Sequence, residues 1–182
     1  MLSLRRIILF TAAMLLFTGI LWQGGIVSGA STHSGPDIYL PLVVRAPSPP
    51  PSVPTFEDRV IQLTNQERAK AGLAPLTRSA ELSRAAQEHS VDMATGNFVS
   101  HIGSDGSNPG DRITRAGYAW YTFGENVAAG YTTPESVVEG WMQSEGHRQN
   151  ILNPDFKHIG VGHAHNASSD YKHYWTQVFG AR

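Results

Sequence analysis

The stretch from Trp141 to Leu152, W-M-Q-S-E-G-H-R-Q-N-I-L, constrains this chain more than any other. Apolar pairs bound it, Trp141 and Met142 on one side, Ile151 and Leu152 on the other. Between them stand a carboxylate (Glu145), an imidazole (His147), a guanidinium (Arg148) and an amide (Asn150). Upstream, Val137, Val138, Trp141 and Met142 recur at helical spacing, which predicts an amphipathic helix entering through Pro134 to Glu139 with that side buried. Gly146 predicts the end of this helix, since glycine favours helix termini. The polar residues would then leave the helix and face a cleft. The alternative is that His147 and Arg148 cap the helix's negative end, as cations commonly do.

The chain has 182 residues, enough for one substantial domain plus extensions. Hydrophobic residues make up 41%, and the formal charge is -1, with no basic run. Nucleic acid is therefore not an expected partner. Cysteine is absent, which excludes a disulfide framework, a thiolate metal site and a cysteine nucleophile.

Residues 1–30 read as a signal peptide. Arg5 and Arg6 precede an apolar run from Ile7 to Trp22, and Ser28-Gly29-Ala30 supplies the small residues of a cleavage site. The run is short for a comfortable membrane span, which wants about 20 residues. Membrane association is expected only if this segment stays uncleaved, and the mature protein is expected to be secreted. Residues 31–54 read as a linker. Pro47 to Pro54 favours extended polyproline II, a stiff spacer. Ile38 to Val44, apolar and broken by Pro41, reads either as an edge strand or as an attachment patch.

The folded domain is expected over residues 55–182. Thr55 opens a helix with Glu57 and Asp58 in its first turn, where the dipole favours acids, and Ala71-Gly72 closes it. A second helix is predicted from about Ser79 to Thr95, with Leu82, Ala85, Ala86, His89 and Met93 on one face; His89 reads as a hydrogen-bonded core histidine. His101 follows at the edge of a glycine-rich loop, Gly103 to Gly110, where functional residues concentrate. Asp111 to Tyr118 reads as a short helix. Glu125 then stands among apolar and small neighbours, so its carboxylate must find a partner elsewhere or take a raised pKa. The chain ends in a hairpin: Ile159 to His165 and Tyr171 to Gly180 alternate around a polar turn containing the sequon Asn166-Ala167-Ser168. His163 and His165 point to one face of their strand, either as a metal-capable pair or as surface decoration.

Taken in order, five stretches resemble a bacterial secreted domain of the CAP superfamily. They are L-T-N-Q-E-R-A-K-A-G-L over 63–73, Ser100-His101, Gly124 to Ala128, Trp141 to Leu152, and Tyr174 to Gly180. The resemblance spans the chain from about Phe56 to its end. It implies an α+β fold, a three-layer α-β-α sandwich with an antiparallel sheet between helices. It also implies a cleft of two histidines and two acids, which in some members holds a divalent cation. Carried over by residue, His101 matches the first histidine, Glu125 the first acid and Glu145 the second. The position of the second histidine falls on Tyr174, a departure from the pattern. His173 is one residue off and so faces the other side of its strand. His147 is the better substitute, because the bacterial branch carries Gly-His-Arg there, so His101, Glu125 and His147 are the expected core of the cleft, with Glu145 and Tyr174 expected beside it.

Two imidazoles and a carboxylate, His101, His147 and Glu125, could ligate Zn²⁺ and leave a position open for water. The same groups could instead hold loops together by charge-assisted hydrogen bonds. No nucleophile-elbow serine and no H-E-x-x-H motif occur. The expected function is a secreted binding module for a lipid, a glycan or a protein, with or without a cation. Metal-assisted hydrolysis at the cell envelope and a purely structural extracellular role are the alternatives.

Overall fold

The computed structural model describes residues 54–182, so the expected signal peptide and nearly all of the expected linker, with the Ile38 to Val44 run, lie outside the described residues. Helix α1, Phe56–Lys70, starts at Thr55, whose side chain accepts from the Asp58 N–H while Asp58 reaches back to Thr55. This reciprocal capping satisfies donors that a helix start leaves open. A connector carries the chain to the short strand β1, Thr77–Arg78. Helix α2, Ala80–Gly96, is capped by Ser79 and stopped by Asn97 in a left-handed conformation, φ 53°. Asn108-Pro109 opens α3, Pro109–Arg115, and β2 is Thr122–Ala129. Thr133-Pro134 opens α4, Pro134–Gln143, which is followed directly by α5, Glu145–Ile151. Strands β3, His158–His165, and β4, His173–Ala181, form the closing hairpin.

The sheet order is β1-β3-β4-β2. The β3–β4 and β4–β2 pairs are antiparallel, while β1 joins β3 in parallel, so the sheet is mixed at that edge rather than antiparallel throughout. Helices lie on both faces, giving the α-β-α sandwich. On one side α1, α4 and α5 bury Val60, Val137, Trp141 and Ile151 against Ile159, Val161, Trp175 and Phe179. On the other, α2 and α3 bury Leu82, Ala85, Ala86 and Ile113 against Val178, while Met93 meets Val127 and Tyr174.

Gly160 and Gly162 set the distance between α2 and the sheet. A Cβ on Gly160 would lie 2.1 Å from the Leu82 carbonyl carbon, and one on Gly162 would lie 2.4 Å from that of Ala86. These contacts are with backbone, so a side chain there must force the helix away.

The helix entering the Trp141 stretch ends earlier than Gly146 suggests. Ser144 adopts an extended conformation, φ -98° and ψ 124°, closes α4 and precedes the first residue of α5. Gly146 lies inside α5 with open space where a Cβ would stand. The polar residues therefore project from a second short helix rather than from a frayed end, and Arg148 pairs with Glu145 instead of capping carbonyls.

At the hairpin turn, Asn166 Nδ2 donates to the Ala94 carbonyl at 2.8 Å, and Asn166 Oδ1 accepts from the Ser168 N–H at 3.0 Å. This ties the turn to the end of α2. No helix among the described residues is long and apolar enough to cross a membrane.

Candidate functional site

Glu125 sits near the middle of β2, and its side chain is only 2% exposed. Both of its oxygens are engaged. Arg112 Nη2 donates to Oε2 at 2.7 Å, and His101 Nδ1 meets Oε1 at 2.8 Å. Arg112, from α3, is itself buried and also donates to the carbonyls of Ser107 and His101. This is the partner that the buried carboxylate required. Arg112 was not singled out by the sequence, where it looks like one more arginine on a short helix. The signal available was the unpaired acid at Glu125.

His101 lies in the loop after α2, with its side chain 51% exposed. Its Nδ1 is committed to Glu125, so Nε2 is the ring nitrogen left for a ligand. The hydrogen bond to Glu125 raises its pKa against the opposing effect of partial burial. His147 approaches from α5. Burial lowers its pKa first, and the nearby His101 lowers it further, because two imidazolium charges repel. The two rings thus reach the β2 edge from opposite layers of the sandwich, one below and one above the sheet.

A buried amide chain fixes α5 in place. Asn126 Nδ2 donates to the His147 carbonyl at 3.1 Å and to Gln177 Oε1 at 3.0 Å. Asn150 Nδ2 donates to the Glu125 carbonyl at 3.1 Å and to Asn126 Oδ1 at 2.8 Å. Gln177 Nε2 donates to Thr64 Oγ1 at 2.8 Å, which extends the chain to α1. Asn126 and Gln177 are fully buried, so each of these bonds replaces one that water cannot supply.

The remaining candidates stand apart. Glu145 has a side chain 67% exposed and bonds along its own helix to Arg148 and Gln149. Two residues from His147, it cannot share that residue's helix face. Tyr174 is buried in the α2 core, and its hydroxyl donates to Asn97 Oδ1 at 3.0 Å. It shares a sheet face with Glu125 but lies four residues along β4 from Val178, the partner of Glu125. That is about 13 Å at ~3.3 Å per residue. His89 is buried, with Nε2 2.8 Å from the Ser100 carbonyl, as its apolar helix face suggested. Among the described residues, no three His, Asp or Glu side chains converge as they stand on one cation position.

A model of the cysteine-rich secretory protein family, CAP, matches residues 61–179. The chain belongs to the CAP family. This member keeps the fold without any cysteine. Two proteins of Bacillus subtilis strain 168 are similar to it. The uncharacterized protein YkwD is 46% identical over 132 residues, covering 72% of this chain and 49% of its own. The uncharacterized membrane protein YlbC is 39% identical over 108 residues, covering 59% of this chain and 31% of its own. The chain therefore spans about half or less of the curated relatives it matches. Among solved structures, an extracellular SCP-domain protein of Bacillus anthracis superposes with TM-score 0.63 at 32% identity, covering 70% of this chain and 40% of that one. An outer surface protein of Borrelia burgdorferi shares the fold with TM-score 0.62 at 23% identity, covering 68% of this chain and 90% of that one. These neighbours are surface or extracellular proteins, and the CAP domain here has their architecture.

Proposed function

We propose that this chain is an exported CAP-domain binding module that takes a lipid, a glycan or a protein at the β2 edge, with His101 and His147 as its polar contacts. One observation carries the reading. Glu125 has both oxygens committed to Arg112 and His101, which leaves His101 Nε2 free beside His147, near enough for the two rings' charges to interact. Such a pair suits recognition of a polar or anionic group. Export is supported by the Arg5-Arg6, apolar-run and Ser28-Gly29-Ala30 pattern, and by similarity to an extracellular protein. N-terminal sequencing of secreted protein should find Ser31 at or near the start; recovery of Met1 would mean an anchor.

A divalent cation fits this donor set in one way. His101 Nε2 and His147 would hold it, with Glu125 aiming the His101 ring from behind as carboxylates do for metal-bound histidines. A bound cation would supply a Lewis-acidic contact. Metal-assisted hydrolysis through such an ion is the second reading.

The test is retention of lipid extract and of cell-wall glycan by wild type, His101→Ala and His147→Ala, with and without chelator. Loss of retention in both variants, each still cooperatively folded, is expected. Equal retention by all three proteins would overturn the reading. Chelator-sensitive cleavage of a substrate would favour the hydrolase.

A further inference from the structure

We propose that His163, His165 and His173 form a separate site for a divalent transition-metal ion at the open end of the β3–β4 hairpin. The strand period puts His163 and His165 on one face of β3, and the register sets His173 directly opposite His165. All three rings therefore project from the α1 face, away from the His101 cleft. His163 Nε2 lies 3.0 Å from His173 Nδ1. The His165 ring centroid lies 4.7 Å from that of His173. Trp175 and Phe56 wall the group, with centroids 4.1 and 5.3 Å from His163.

Surface decoration would not require this crowding. Three imidazoles are gathered where, among the described residues, no carboxylate forms an ion pair with any of them. Glu57, at the start of α1, is the acid whose charge reaches His163. Lys172, immediately before His173, adopts a left-handed φ of 62° although it is not glycine. Backbone strain of this kind collects where a side chain must be aimed.

The donor chemistry selects the ligand. Imidazole suits zinc, copper and nickel, while calcium and magnesium take oxygen. Two nitrogens on one tetrahedral zinc ion, each at about 2.0–2.1 Å, stand roughly 3.3–3.4 Å apart. His163 Nε2 and His173 Nδ1, hydrogen-bonded at 3.0 Å, would part by a few tenths of an ångström to share an ion. As they stand, the three rings do not converge on one point. Binding displaces the proton shared by His163 and His173 and turns the exposed His165 ring inward.

The experiment is calorimetric titration of the untagged secreted chain with Zn²⁺ at neutral pH, repeated on His165→Gln, His173→Gln and His101→Ala. One saturable event should weaken by roughly tenfold or more in each hairpin variant and persist in His101→Ala. It should also weaken at acidic pH, because protons compete for the same nitrogens. His165→Gln alters an exposed side chain and carries the test should His173→Gln fail to fold. The proposal is overturned by equal affinity in wild type and His165→Gln, or by a wild type whose whole Zn²⁺ uptake disappears in His101→Ala.

Discussion

Arg112 and Glu125 meet at 2.7 Å with side chains 5% and 2% exposed, and the same carboxylate turns its other oxygen to His101. The most solvent-exposed ring of the cleft is thus aimed by an ion pair that water does not reach. The loop ring and the sheet are locked together through one carboxylate.

Arg112→Met should therefore be severe. It strands a buried charge, and breaking such a pair from one side costs about 3–5 kcal/mol. Arg112→Met combined with Glu125→Leu should recover part of that loss, because no charge is left unpaired. Urea unfolding measures both; a double variant no more stable than the single one would show that the pair's value is not electrostatic.

Proton NMR should separate the two cleft histidines. His101 is held above the ordinary value of about 6.5 by its bond to Glu125, and His147 is held below it by burial and by His101. Glu125→Gln should bring the His101 midpoint down. A His101 midpoint below that of His147 in wild type would contradict the geometry.

Stability should fall as pH drops from 7 to 5. The raised pKa of His101 contributes stability that is complete below about 6.5 and is lost as pH rises through its folded value. His89, His147, His163 and His173 are all lowered, chiefly by burial, so the folded state resists protons that the unfolded chain accepts. Their penalty appears as pH falls through about 6.5, and these residues outnumber His101. Melting temperatures across that window give the sign; a flat profile would mean these rings relax on protonation.

Gly160→Ala should destabilise the domain by about 3 kcal/mol or more, since overpacking against backbone finds no soft neighbour. Gly146→Ala, made in open space within a helix, should be neutral or slightly stabilising by comparison. Denaturant midpoints for the pair report whether the α2–β3 approach is as close as described.

Trp141 is 1% exposed and lies in the core between α4 and the sheet. Trp141→Ala should cost ~3–5 kcal/mol and leave a poorly folded domain that no disulfide restrains. An unchanged melting temperature would place this side chain at the surface.

Much of the fold was legible because its helices announce their starts. Thr55 caps α1 as its residue type predicts, α2 begins beside Ser79, and Val137, Val138 and Trp141 bury the face their spacing implies; the Asn108 and Thr133 caps, with proline behind each, carry a start signal the reading from Asp111 and Pro134 did not use. The hairpin was legible from alternation. Strand β2 was not, because Gly124 to Ala128 are buried without alternation, so no strand period marks them. Within the site, His101 and Glu125 were legible, and their contact is direct. Arg112 was hidden because nothing local distinguishes an arginine that turns inward. The separation of Tyr174 and Glu145 from the cleft depends on distance along a strand and position around a helix.

The turn at Asn166 has a consequence for the choice of expression host. Asn166-Ala167-Ser168 is an acceptor sequence for N-linked sugar. The nitrogen that would carry the sugar is the one bonded to the Ala94 carbonyl. A glycan would take one of its two hydrogens and need space beside the end of α2. Protein from a glycosylating cell and protein from a bacterium should then differ in how firmly this turn is fastened, although their sequences are identical.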